Sequence, residues 1–142
     1  MADTSSLQPP ASGLLRVVVV TPEQTVLDEA TDFVALPLFD GELGVAPGHA
    51  PMIGRLGYGE LRVGHESGAQ RFYVDGGFVQ VADNVVSVLT NRALGAAKLD
   101  EGAIAESIRH ALSQKAAGED QVGRRDRAIA QSRAQLRVAK RA

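Results

Sequence analysis

The chain has 142 residues, of which 44% are hydrophobic and 23% charged, a balance typical of one globular domain with or without an appendage. It contains no cysteine, which excludes disulfides, thiolate zinc sites and cysteine nucleophiles. No segment approaches the roughly 20 apolar residues that a membrane helix needs. The first ten residues lack the basic start and apolar centre of a signal peptide. These features predict a soluble cytosolic protein.

The net charge of −2 conceals two oppositely charged parts of the chain. From Gly123 onward, seven basic residues accompany one acidic residue, a charge of +6, whereas residues 1–122 carry −8. Such a division indicates two structural units, the second of which meets an anionic partner. One alternative is that the basic segment lies on the acidic part of its own chain. Nucleic acid is disfavoured as the partner, because the segment has no aromatic residue to stack on bases.

Residues 1–13 are small, polar and proline-rich, which predicts a disordered leader. Residues 14–93 then contain short β-branched and aromatic segments separated by turn residues, among them Gly57, Asp75-Gly76-Gly77 and Asp83-Asn84. This punctuation predicts an antiparallel β-sandwich or barrel. The predicted strands cover residues 14–20, 31–38, 52–56, 58–63, 70–74, 78–81 and 85–90.

Within residues 94–142 the apolar spacing changes from two to three and four residues, which predicts a helical hairpin. Asp100 is the predicted N-cap of the first helix, and Gly118 separates it from the second. In the second helix, large apolar residues such as Ile129 and Leu136 recur every seven positions. Because such residues are few, we expect the hairpin to be stable only when it is docked on another surface, as in a conformational switch.

Motifs for catalysis and cofactor binding are missing from the sequence. There is no phosphate-binding loop, dinucleotide fingerprint or nucleophile elbow, and the three histidines lack the spacing of a metal site. A small hydrolase that uses His49 with Asp40 or Glu42 stays an alternative, although such residues more often cap and brace loops. The sequence therefore predicts no catalytic residue, no metal site and no cofactor.

Three segments together resemble the epsilon subunit of bacterial F-type ATP synthases, and the similarity extends over residues 14–138. They are DGELGVAPGHAP at 40–51, FYVDGGFVQV at 72–81 with NVVSVL at 84–89, and the final hairpin, with LDE at 99–101 and AQLRV at 134–138. The resemblance implies an α+β fold that is mainly β. It consists of an N-terminal antiparallel β-sandwich of about ten strands, followed by a C-terminal antiparallel two-helix hairpin.

The same resemblance implies a non-catalytic rotor subunit of the central stalk, bound to the gamma subunit and the c ring. Such a subunit is peripheral to the cytoplasmic face of the plasma membrane. It couples ion translocation through the c ring to ATP synthesis, and its terminal helices can extend and inhibit ATP hydrolysis.

The resemblance also assigns partner contacts to particular residues of this chain. A loop carrying Glu42 would meet the c ring, and His49 would lie nearby at the stalk interface. For His49, fixing the turn of the GHAP segment at 48–51 is an equally open role. In the extended state, five arginines would face acidic segments of the alpha/beta catalytic head: Arg124, Arg125, Arg127, Arg133 and Arg137.

One departure from the family pattern concerns nucleotide binding. Some relatives bind ATP through Ile or Leu, then Asp, two variable residues, Arg and Ala. Here Leu99 and Asp100 are followed by Ala103 at the arginine position, so the phosphate-facing cation is missing. We expect no ATP binding at this segment. Because Arg109 and the second helix could supply other cations, a nucleotide-sensing regulatory module stays the alternative function.

Overall fold

The computed structural model describes residues 8–11, 13–65 and 68–140, so most of the predicted leader lies outside the described residues. The described chain forms eight strands followed by two helices, which confirms a mainly β domain with a C-terminal helical hairpin. The strands are β1 Leu15–Val20, β2 Thr25–Thr31, β3 Val34–Leu38, β4 Gly41–Val45, β5 Met52–Val63, β6 Gln70–Ala82, β7 Val85–Leu89 and β8 Ala93–Gly95. A short 3₁₀ turn, Ala96–Lys98, leads to helices α1, Glu101–Ser113, and α2, Gly118–Lys140.

Two predicted turns are wrong, because each lies inside one long strand. Gly57 lies within β5, and the pair Gly76 and Gly77 lies within β6. Gly76 and Gly77 have φ angles of 71° and 109°, so they bend β6 without ending it. A Cβ atom on Gly77 would lie 1.9 Å from the carbonyl oxygen of Leu89. Glycine is therefore needed at position 77 because two strand backbones approach closely there, and not because the chain reverses direction.

The region between residues 25 and 45 also differs from the prediction. The predicted strand 31–38 is in fact the end of β2 and the whole of β3, with a bend between them. The predicted loop at Glu42 is wrong, because Glu42 lies in β4. Two of the five residues of β4 are glycines, which have low strand propensity. The segment is nevertheless a strand because it pairs with β3 along its whole length.

The strands form one sheet in the order β2-β1-β7-β6-β5-β3-β4, and β8 pairs with β6 beyond this path. The pairing is antiparallel except between β1 and β7, which run parallel. β6 pairs with β8 through Phe72–Val74 and with β7 through Phe78–Ala82, so it changes partner at its bend. The sheet packs around one apolar core to which β1 through β7 all contribute buried side chains.

The helices pack on the outside of this sandwich through a second, smaller cluster. Tyr73 of β6 and Ala96 are buried there against Ala134 and Val138 of α2. Asp100 caps α1 as predicted, because its Oδ1 accepts a hydrogen bond of 3.2 Å from the Ala103 N–H. The hairpin is docked through α2, whose buried residues in this cluster are small, whereas the sandwich contributes the larger Tyr73.

Candidate functional site

Glu42 is exposed in β4, opposite Pro37 of β3. Its Oε1 lies 3.9 Å from the Nη2 of Arg62, a distance at which an exposed pair contributes little to stability. The carboxylate is therefore available to a partner at the side of the sandwich where β4 is the last strand of the sheet.

His49 is half-buried in the turn that follows β4. Its Nδ1 lies 2.7 Å from the carbonyl oxygen of Ala50, and its backbone N–H donates to the carbonyl of Ala46 at 3.2 Å. The preceding Gly48 N–H donates to Oδ1 of Asn84 at 2.7 Å. These bonds tie the turn to itself and to the β6–β7 connection. The contacts of His49 are those of a residue that braces this turn.

The structure does not bring the acidic residues and His49 together. Asp40 immediately precedes β4 and Glu42 is its second residue, whereas His49 lies four residues beyond its last residue, Val45. The hydrogen bonds of His49 go to Ala46 and Ala50, and none of the ion pairs found among the described residues joins it to Asp40 or Glu42. Among the described residues, no group of three or more His, Asp or Glu side chains is arranged to hold a metal ion. The hydrolase alternative therefore has no geometric support.

The five arginines predicted to contact a partner all lie on α2. Arg125 is half-buried, and its Nε lies 3.6 Å from Oδ1 of Asp126. The other four are exposed while the helix is docked: Arg124, Arg127, Arg133 and Arg137. Docking of the hairpin therefore leaves most of this positive charge at the surface.

The structure contains a buried polar junction between the sandwich and α2 that the sequence did not predict. Asp75 of β6 is only 8% exposed. Its Oδ1 accepts hydrogen bonds from the Tyr73 hydroxyl at 3.0 Å and from Nε2 of Gln131, on α2, at 2.9 Å. Its Oδ2 lies 3.8 Å from Nη2 of Arg92. Burial, and then the charge of Asp75, raise the pKa of Tyr73 above its usual value, so the hydroxyl stays a hydrogen-bond donor at neutral pH.

A second polar contact lies at the C-terminal end of α2. Nη2 of Arg71 donates to Oε2 of Glu60 at 2.5 Å and to the carbonyl oxygen of Val138 at 3.0 Å. The last four carbonyls of a helix have no partner within the helix, and Val138 supplies one of them. Arg71, on the sandwich, therefore donates a hydrogen bond to one of the otherwise unpaired carbonyls at the C-terminal end of α2.

The face of α2 that docks has a periodicity that a sequence search could have found. Gln131, Ala134, Gln135 and Val138 follow the spacing i, i+3, i+4 and i+7, which places them on one side of a helix. Because two of these residues are polar and one is alanine, a search for large apolar residues selects Ile129 and Leu136 instead. The spacing of the docking face can therefore be found in the sequence, but the residues at that spacing are not the large apolar ones that a hydrophobic pattern selects.

The sandwich also has an outer apolar surface, formed by the exposed side chains of Phe39, Ile53, Phe78 and Leu89, which are 72%, 76%, 59% and 49% exposed. Phe78 is opposite both Arg55 and Leu89 in the sheet, and the Arg55 guanidinium lies 4.8 Å above the Phe39 ring. An open groove adjoins Phe78 and Leu89. Grouped aromatic and aliphatic side chains of this kind are typical of a protein-binding surface.

An exposed apolar surface on the sandwich and a docked basic hairpin are features typical of a subunit that binds other proteins. The family described as ATP synthase, Delta/Epsilon chain, beta-sandwich domain, matches residues 14–96. An ATP synthase epsilon chain from Rhodopirellula baltica is 52% identical over 126 residues, which cover 89% of this chain and 98% of the relative. Another, from Alkalilimnicola ehrlichii, is 39% identical over 110 residues, covering 75% of this chain and 79% of the relative. The chain therefore belongs to the ATP synthase epsilon chain family, whose members are non-catalytic subunits.

Solved structures show the same fold at low sequence identity. A chain in the Euglena gracilis mitochondrial ATP synthase assembly of OSCP, F1 and c-ring aligns with a TM-score of 0.80 and 22% identity, covering 97% of this chain and 87% of that one. A chain in the Tetrahymena thermophila mitochondrial ATP synthase central stalk and c-ring aligns with a TM-score of 0.68 and 14% identity, covering 88% and 96%. Neither helix in the described part of the chain has the length and hydropathy needed to cross a bilayer.

Proposed function

We propose that this chain is the central-stalk epsilon subunit of an F-type ATP synthase, bound to the gamma subunit and the c ring. As part of the rotor, it couples ion translocation through the c ring to ATP synthesis. Its place is peripheral, on the cytoplasmic face of the plasma membrane. The observation that carries the proposal is the 52% identity to an ATP synthase epsilon chain over 98% of that relative. Both structural neighbours come from assemblies that include a c-ring, and one of them from a central stalk, which gives further support.

The outer apolar surface is the part of the sandwich that we assign to the gamma subunit. Phe39, Ile53, Phe78 and Leu89 expose much of their apolar area to water, and a partner that covers them gains roughly 25 cal/mol for each Å² of apolar area buried. Arg55 lies among them and supplies a cation at the same surface. This combination of aromatic residues and an arginine is enriched at the centre of protein interfaces.

Glu42 and His49 have different roles in this proposal. Glu42, exposed on β4, is assigned to the polar loops of the c ring, because a hydrated carboxylate suits a polar partner better than an apolar one. His49 holds the turn after β4 through its own backbone neighbours and thereby shapes the stalk interface. Substitution of His49 is therefore expected to change the turn rather than remove a direct contact.

The hairpin supplies the regulatory part of the proposal. While it is docked, α2 exposes Arg124, Arg127, Arg133 and Arg137, and its own buried contribution to the cluster on the sandwich is limited to Ala134 and Val138. When the hairpin is released and extended, these arginines and Arg125 would meet acidic segments of the alpha/beta catalytic head and inhibit ATP hydrolysis. Exposed opposite charges orient such a contact more than they strengthen it.

The test uses a catalytic sector stripped of its own epsilon subunit. It is mixed with the full chain or with a chain ending at Lys98, which keeps β8 and the 3₁₀ turn, and both binding and ATP hydrolysis are measured. We expect both chains to bind and only the full chain to inhibit hydrolysis. As a matched control, a full chain whose five arginines are replaced by glutamine should bind normally and inhibit less. Failure of both chains to bind a matched gamma subunit would overturn the proposed function, and equal hydrolysis with either chain would overturn its inhibitory part.

A further inference from the structure

Two kinds of contact hold α2 on the sandwich, and they differ in how they respond to release of the helix. The apolar contact joins Tyr73 to Ala134 and Val138, and it strengthens in proportion to the area covered. The polar contact joins Asp75 to Gln131, and it exists in only one register of the helix, because a hydrogen bond weakens steeply with distance and angle.

We propose that Tyr73, Asp75 and Gln131 form a latch, here called the Asp75 latch, whose strength sets the balance between the docked and released states of α2. This inference rests on the proposed function, in which release of the hairpin has a consequence for the assembled enzyme. The balance itself is a property of the chain on its own, so it is measured without the other subunits.

The sandwich holds Asp75 in place whether or not α2 is docked. The Asp75 N–H lies 3.1 Å from both Oγ1 of Thr90 and the carbonyl oxygen of Arg92. Nδ2 of Asn91 donates to the Asp75 carbonyl at 3.2 Å. These bonds fix the backbone at Asp75, and the bond from the Tyr73 hydroxyl orients its carboxylate. An acceptor that is already oriented loses little conformational freedom when the donor arrives.

Gln131 is the hairpin's contribution to the latch. Its Nε2 donates to Oδ1 of Asp75 at 2.9 Å. A hydrogen bond to a charged group contributes more than one between neutral groups. When α2 leaves, water replaces Gln131 at the carboxylate, so the latch opens without leaving an unsatisfied buried acceptor. It therefore selects one register of α2 while still allowing release.

The test introduces Gln131→Glu, which keeps the size of the side chain but removes the donor and places a second carboxylate against Asp75. The matched control is Gln121→Glu, the same change in the first turn of the same helix, where Gln121 Oε1 accepts from the Ala117 N–H within the hairpin. A carboxylate can accept the same bond, and an acid near a helix start is favourable. A third variant, Gln131→Ala, removes the donor without adding charge, and alanine does not weaken the helix.

Docking is measured as the distance between two nitroxide labels attached at Gln80→Cys and Ala130→Cys. Both positions are exposed, and the chain has no native cysteine. We expect Gln131→Ala to raise the ratio of released to docked chain about tenfold, as loss of a hydrogen bond to a charged group implies, and Gln131→Glu to raise it further. Gln121→Glu should match the wild type. Hydrogen exchange of the α2 amides reports the same change when the released population is too small for the distance measurement.

An unchanged ratio and unchanged exchange in Gln131→Glu would overturn the latch. Faster exchange throughout the sandwich as well as in α2 would also overturn it, because the change would then act on the whole fold. If Gln131→Glu releases α2 while ATP hydrolysis by the assembled enzyme stays the same, the latch stands and the inhibitory role of the hairpin fails. The two proposals are therefore separately refutable.

Discussion

The bend in β6 makes Gly77 the position at which a single added methyl group should cost the most. A Cβ atom there would lie 1.9 Å from the carbonyl oxygen of Leu89 and 2.9 Å from the Cα of Thr90, and both neighbours are backbone atoms that cannot rotate away. The φ angle of 109° is also unfavourable for any residue with a side chain. We expect Gly77→Ala to lower the free energy of unfolding by more than about 4 kcal/mol, because β7 must move away from β6.

The neighbouring Gly76 provides a matched control. Its φ of 71° is also positive, but an added Cβ would meet only Cε1 of Tyr58 at an ordinary 3.6 Å. Gly76→Ala should therefore cost only the backbone term, about 1–2 kcal/mol. Urea unfolding followed by far-ultraviolet circular dichroism measures both changes, since the chain has no tryptophan to report on its core. A loss in Gly77→Ala no larger than in Gly76→Ala would refute the reasoning.

Two further predictions concern the edge of the sheet and the docking of α2. The guanidinium of Arg16 donates to both carboxylate oxygens of Asp28, at 2.9 and 2.8 Å, and these bonds lower the pKa of that carboxyl. The stability they contribute is present above the usual pKa of about 4 and is lost as the pH falls through the lowered value. Asp28→Asn should therefore lose less stability than the wild type in urea titrations between about pH 4 and pH 2, and parallel pH profiles would contradict this. Val138→Ala removes about 2 kcal/mol of apolar packing between α2 and the sandwich. It should speed hydrogen exchange in α2 but not in β6, and equal acceleration in both would contradict the separate docking of the helix.

Local signals in the sequence predict the elements whose structure depends on their own residues. The β-branched run in β1 and the cap at Asp100 are of this kind. The continuity of β5 and β6 could not be predicted in the same way. A Cβ on Gly57 would lie 3.0 Å from the carbonyl oxygen of Leu38, and one on Gly77 would be closer still to Leu89. Both glycines lie close to the backbone of a strand that is distant in sequence. A prediction from neighbouring residues alone therefore interprets them as turn residues.

The same distinction holds for the candidate site. Exposed arginines on a helix follow from composition and helical period, since Arg133 and Arg137 lie one turn apart whatever α2 contacts. The contact of Gln131 with Asp75 joins residues 56 positions apart, and it depends on which turn of α2 faces the sandwich. Tyr73 and Asp75 alternate along β6 with Val74, which lies in the main core, so they share the opposite face of the strand, against which α2 packs.

The parallel pairing of β1 with β7 has a consequence for the order in which the chain acquires its structure during synthesis. β1 ends at Val20 and pairs with β2 along one edge, but its partner along the other edge, β7, begins only at Val85, so that second edge of β1 stays unpaired until most of the sandwich has been made. Pairings between such distant segments form slowly, because a long loop must close before any contact is gained. α2 is synthesised after all eight described strands. The surface on which it docks can be complete by then, and the nascent chain can fold without the hairpin's help.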